Sequence, residues 1–205
     1  MMICAAFAGM CAFFLTYQRI KSNSGMGTQI AVKCAATSMA ALVALLGCLK
    51  NGSTAHWLLL AGLIACTVAD GVLCVRLIEG GALFVLGHVL YMISFCLMNG
   101  PDWRSAVIFL VMMGAATAGM ARLRARVGRN GGLFLAYAAV LSLMVSLAAV
   151  QRPLFFAGAL LFAVSDGLLG LLMVSNERNV CLDYVSLGIY YLGQFLLALA
   201  VYMYP

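Results

Sequence analysis

The chain divides into apolar runs long enough to cross a membrane, and that pattern limits its fold more than any motif does. A run of about 17–25 residues spans a bilayer's hydrocarbon core as a helix. Eight such runs are read at approximately 2–18, 28–49, 56–75, 81–99, 103–120, 132–150, 153–174 and 183–204. The breaks carry turn chemistry: Asn23-Ser24-Gly25, Asn51-Gly52-Ser53, Gly80-Gly81, Asn99-Gly100-Pro101, Asn130-Gly131-Gly132, Pro153 and Ser175-Asn176. With 65% of residues hydrophobic and 9% charged, there is too little polar surface to cover a soluble globule; soluble domains are about a quarter charged. The fold class is therefore an all-α polytopic membrane protein, one transmembrane domain over residues 1–205. The first span lacks a basic leader and a clear cleavage site, and is expected to be a retained helix.

Charge informs topology before binding. Odd-numbered loops hold Arg19, Lys21, Arg76, Arg122, Arg124, Arg126, Arg129 and Arg178, against Lys50, Arg104 and Arg152 in the even-numbered loops. Eight against three predicts cytoplasmic odd loops and extracytoplasmic termini. The expected location is a bacterial inner or plasma membrane. Nucleic acid is not an expected partner, because the arginines sit in short loops and no nucleic-acid fold signature is present. The eight cysteines include no C-x-x-C pair and read as small packing residues. No metal or cofactor is expected.

Two carboxylates break the apolar pattern. Asp70 and Asp166 lie inside long hydrophobic stretches and within similar motifs, Ala61-Gly62 … Val68-Ala69-Asp70-Gly71 and Ala157-Gly158 … Val164-Ser165-Asp166-Gly167. A carboxylate at a helix centre in the bilayer costs roughly 2.5–3.5 kcal/mol even on translocon scales, so such groups are read as functional. The motifs are 96 residues apart, in the third and seventh spans. Four spans per half makes any internal repeat parallel. The helices that follow also correspond: one carries His88 and Tyr91, the other Tyr191 and Gln194, each pair at i, i+3 spacing on one helix face.

At 1.5 Å per residue these groups fall at similar depths below the cytoplasmic boundary, roughly 9 Å for Asp70, 12 Å for His88, 12–15 Å for Asp166 and Tyr191, and 8 Å for Lys33. They are expected to line one polar cavity open to the inner leaflet, with nothing comparable in the outer half. Within it the two carboxylates should face each other and share acid–base work, one protonated and one kept ionised by Lys33 or His88. Ser165, Tyr190 and Tyr191 also suit plain interhelical hydrogen bonding, and Lys33 could snorkel. His56, beside Trp57 at a boundary, is given no role.

At these residues the chain resembles the YhhN family, the group that includes the lysoplasmalogenases. The resemblance covers nearly the whole chain: Lys33, Leu60-Ala61-Gly62-Leu63 … Asp70, Gly81-Ala82-Leu83-Phe84 … His88-Val89-Leu90-Tyr91, Leu160-Leu161-Phe162 … Ser165-Asp166, and Tyr190-Tyr191 … Gln194. One departure is Ala69, where relatives often carry glycine before the aspartate. The resemblance implies an eight-helix hydrolase that splits the vinyl ether bond of a lysoplasmalogen, a lysophospholipid, into a fatty aldehyde and a glycerophospho-alcohol. Asp70 and Asp166 would be the catalytic pair. His88, Tyr91, Tyr191 and Gln194 would orient them, with Ser165 and Tyr190 alongside, and Lys33 would meet the substrate phosphate or tune an aspartate. The competing readings are a proton-coupled small-molecule or lipid transporter and a non-catalytic lipid-binding membrane protein.

Overall fold

A computed structural model describes residues 1–128, 131–175 and 179–204. Eight α-helices follow in order: α1 Met2–Ile20, α2 Met26–Asn51, α3 Thr54–Leu73, α4 Leu77–Met98, α5 Trp103–Val127, α6 Gly131–Ala148, α7 Pro153–Ser175 and α8 Val180–Met203. All eight are long and apolar enough to cross a membrane. The all-helical fold and the number of spans are as the sequence predicts.

Two boundaries moved, each for a physical reason. Gly80-Gly81 is no break but lies in the first turns of α4. A Cβ on Gly80 would come within 2.6 Å of the Leu73 backbone, so the absent side chain lets α4 begin tight against the end of α3. Helix α5 runs through Arg122, Arg124 and Arg126 to Val127 rather than ending near 120. Arginine is a good helix former, and nothing in that segment breaks the helix before Gly128, which has a positive φ of 58°. Arg129, Asn130, Asn176 and Arg178 lie outside the described residues.

Helices α2, α3, α4, α6, α7 and α8 pack in a closed ring, each against the next and α8 back against α2. Helix α1 lies on the outside of α2, and α5 on the outside of α6. Apart from Ser105 and Val127, α5 buries no residue among those described, so its apolar surface faces lipid. Shifting every label by four maps this packing onto itself: α1·α2 becomes α5·α6, α3·α4 becomes α7·α8, and α2·α8 becomes α6·α4. The parallel repeat, faint in sequence, is a two-fold arrangement of four-helix halves.

The closest crossings show the same symmetry. Gly62 on α3 meets Gly87 on α4, and Gly158 on α7 meets Gly193 on α8. A Cβ on Gly158 would lie 2.9 Å from the Gly193 carbonyl oxygen, and one on Gly62 would lie 3.0 Å from that of Gly87. In lipid no hydrophobic force drives helices together, so small residues that allow backbone approach carry the association. Replacing Gly158 with valine should lower stability in detergent by about 1–3 kcal/mol, the usual overpacking cost. Gly167→Ala, where a Cβ meets nothing within 4 Å, should be neutral or slightly stabilising. Thermal melts of the two variants side by side check this.

Candidate functional site

Each half supplies one carboxylate from its third helix, and each carboxylate is served by two neighbouring helices. Asp70 on α3 accepts from α2 and α8. The Lys33 ammonium stands 3.1 Å from Oδ1, the Thr37 hydroxyl donates to Oδ2, and the Tyr190 hydroxyl donates to Oδ2 at 2.8 Å. Asp166 on α7 is served by α6 and α4: Tyr137 donates its hydroxyl to Oδ2, and His88 Nε2 lies 3.8 Å from the same oxygen. Under the two-fold relation α2 corresponds to α6 and α8 to α4. The two sites are thus one arrangement built twice with different side chains.

The arrangement repeats but the chemistry diverges. An ammonium and two hydroxyls donate to Asp70, whose side chain is 2% exposed, so both of its oxygens are engaged by the protein. Lys33 is buried and engaged, so it neither snorkels nor stays free for a substrate phosphate. Asp166 has a phenol and an imidazole for neighbours and keeps 10% side-chain exposure. His88 is fully buried, packed edge-on to Phe162 at 4.6 Å between ring centroids, and its Nδ1 has no hydrogen-bond partner. A buried polar atom left unpaired costs about 1–3 kcal/mol.

The expected facing pair is not what the fold makes. No hydrogen bond joins the two aspartates among the described residues, and aromatic rings lie between their surroundings. Phe162 touches His88 on the Asp166 side and Tyr190, at 5.2 Å, on the Asp70 side, while Phe84 packs on both Phe162 and Tyr190. A polar thread runs round the rings: Tyr91 donates to Gln194 Oε1 at 2.9 Å, Gln194 Nε2 donates to Tyr190 at 3.3 Å, and Tyr190 donates to Asp70. Tyr91 on α4 and Gln194 on α8 belong to different halves, so their bond joins the halves to each other. The groups form a column rather than one layer. Asp70 is three residues from the end of α3, whereas Tyr91 and Gln194 are each fourteen residues into their helices.

Two sequence candidates serve elsewhere. Ser165 turns to α8, donating to the Ser186 carbonyl at 2.9 Å while Ser186 donates to the Ser165 carbonyl at 3.0 Å, a clamp between α7 and α8. Successive helix residues are about 100° apart, so Ser165 and Asp166 face different neighbours. The Tyr191 hydroxyl reaches the Lys33 carbonyl at 3.5 Å, supporting α2 rather than a carboxylate. Two site residues went unread in the sequence. Thr37 sits four after Lys33 on the same helix face, a spacing that was there to be used. Tyr137 stood alone in an apolar run, and only the packing of α6 on α4 and α7 gives it meaning.

The end of the bundle away from Asp70 is not bare either. A cavity of about 630 Å3 opens there, lined by His56, Asn99, Gln151, Arg152 and Tyr204 among others. His56 is buried, with its Nδ1 3.1 Å from the Ser53 hydroxyl, rather than resting at an interface.

A model of the YhhN family matches residues 28–201, a stretch that contains every residue of the two carboxylate sites. The chain belongs to the YhhN family. No curated protein and no solved structure matches it.

Removing one partner of a buried ion pair strands the other, at about 3–5 kcal/mol. Lys33→Met and Asp70→Asn should therefore each lower stability by that order. The double variant should fall well short of their sum, leaving a coupling energy of about 1–3 kcal/mol. Denaturation of the four proteins in detergent measures that coupling.

Proposed function

We propose that this YhhN protein is a lysoplasmalogenase-like hydrolase that cleaves the vinyl ether bond of a lysophospholipid, with Asp166 as the acid. The observation that carries the reading is the environment of Asp166: its side chain keeps 10% exposure, Tyr137 donates to one oxygen, and His88 Nε2 stands 3.8 Å from that same oxygen. Among the described residues no ammonium or guanidinium pairs with this carboxyl group. Asp70 is the lesser candidate for the acid, because Lys33, Thr37 and Tyr190 already occupy both of its oxygens.

The steps follow from the chemistry of the bond. Asp166 transfers its proton to the β-carbon of the vinyl ether, and the alkene electrons form the new C–H bond. The α-carbon and ether oxygen then share the positive charge as an oxocarbenium ion, beside the carboxylate just formed. Water held by His88 adds to the α-carbon and returns a proton to Asp166, giving a hemiacetal. The hemiacetal opens to the fatty aldehyde as its hydroxyl proton passes to the departing glycerol oxygen. General acid catalysis of this kind supplies about 10²–10⁴-fold, and a carboxylate beside a developing cation in a dry site adds to it. Tyr137 fixes the Asp166 carboxyl by donating to one oxygen. The Lys33–Asp70 pair anchors Tyr190, Gln194 and Tyr91, which form the wall of the site.

In this reading the aspartate end faces the cytoplasm, since Arg19, Lys21, Arg76, Arg122 and Arg126 cluster towards that end of the bundle. A single-chain lipid would then bring its linkage to Asp166 from the inner leaflet. A transporter would call for helices broken near the midplane, whereas each of the eight helices is continuous over its described length.

Purified protein in detergent should release aldehyde from a lysoplasmalogen but not from the matching alkyl-ether or acyl lysolipid. Asp166→Asn should reduce turnover by at least about 100-fold with folding intact, and Tyr137→Phe by a smaller factor. Undiminished turnover in Asp166→Asn removes the assignment. Release from the acyl lipid alone replaces the vinyl ether with an ester as the bond cleaved.

A further inference from the structure

The cavity at the end away from Asp70 lies apart from the carboxylate column. Asp70 is fourteen residues from His56 along α3, roughly 21 Å, and the packed side chains of Leu59, Leu63, Phe95 and Leu197 fill the length between. Its lining comes from four helix ends: the starts of α3 and α7 and the ends of α4 and α8. Among the eleven lining residues there is one permanent cation, Arg152, and no carboxylate.

The donors converge. Arg152 is exposed, forms no ion pair among the described residues, and sits over the Tyr204 ring with its guanidinium carbon 5.7 Å from the centroid. The stacking of Phe155 on Tyr204 fixes that ring in turn. Across the opening, Thr54 and Ala55 lie in the first turn of α3, where backbone N–H groups have no intrahelical acceptor. The start of α7 adds the positive end of a second helix dipole. Asn99 and Gln151 are already spent on structure, donating to the carbonyls of Val150 and Phe95, and they hold the rim rigid. A guanidinium and two helix N-termini lining one concave site, with no carboxylate among its eleven lining residues, match a tetrahedral oxyanion.

We propose that this cavity binds a phosphate group, carried by a lipid headgroup at the membrane surface or free in solution. The proposal is independent of the hydrolase reading, because no residue of the cavity belongs to either aspartate site.

The test is titration calorimetry on the full chain in maltoside, with two probes. One is inorganic phosphate; the other is dihexanoylphosphatidylglycerol below its micelle-forming concentration. Saturable one-to-one binding is expected in at least one arm, and Arg152→Gln should weaken it at least tenfold. Arg104→Gln, a change at the same end in a residue already paired with Asp102, should leave it unaltered. Binding in the phosphate arm assigns the site to the free ion as well as headgroups; binding in the lipid arm alone assigns it to headgroups. Absence of binding in both arms overturns the proposal, as does an undiminished Arg152→Gln or an equal loss in Arg104→Gln. Aldehyde release measured on Arg152→Gln should match the wild type, which separates failure here from failure of the hydrolase reading.

Discussion

A carboxylate taken out of water must find its hydrogen-bond donors within the protein, and this constraint organises the bundle. Asp70 is met by Lys33 and Thr37 from α2 and by Tyr190 from α8. Those donors tie the consecutive helices α2 and α3 to α8, which lies more than a hundred residues further on in the chain. The pair need not add net stability, since desolvation offsets much of the attraction. What it does is penalise every arrangement in which either charge loses the other. Register between α2, α3 and α8 is specified by that penalty more sharply than apolar packing in lipid could specify it.

The second half uses the same scaffold with a different outcome. There the helices that correspond to α2 and α8 offer Tyr137 and His88, and among the described residues no Lys or Arg pairs with Asp166. A two-fold fold has thus produced one carboxylate tied into structure and one left with an open side. The two aspartates look interchangeable as motifs. Their neighbours, some from the same half and one from the opposite half in each case, separate their roles. The aromatic wedge of Phe84, Phe162 and Tyr190 keeps the two environments distinct.

Much of this was readable before the fold. Asp70, Asp166, His88, Tyr91 and Gln194 were marked by a single argument, that polar groups in apolar spans need a reason to be there. That argument is silent on direction. It could not say that Ser165 turns away from Asp166 toward Ser186, or that Lys33 is consumed by Asp70. Nor could it find Tyr137, because a lone tyrosine in an apolar helix is ordinary until a neighbour's oxygen is known. The cavity away from Asp70 escaped for a related reason. It is assembled from four helix ends whose residues are each unremarkable in sequence.

Hydropathy is a local property, averaged over one helix at a time, and so the linear chain was enough to give eight spans, the parallel halves and the two intramembrane acids. Partnership is not local. Which helix donates to which carboxylate, and whether two acids meet or are held apart by rings, depends on how α4 and α8 cross between the halves. Only the closed ring of six helices settles that, because the backbone approach at Gly62–Gly87 and Gly158–Gly193 determines how near the side chains can come.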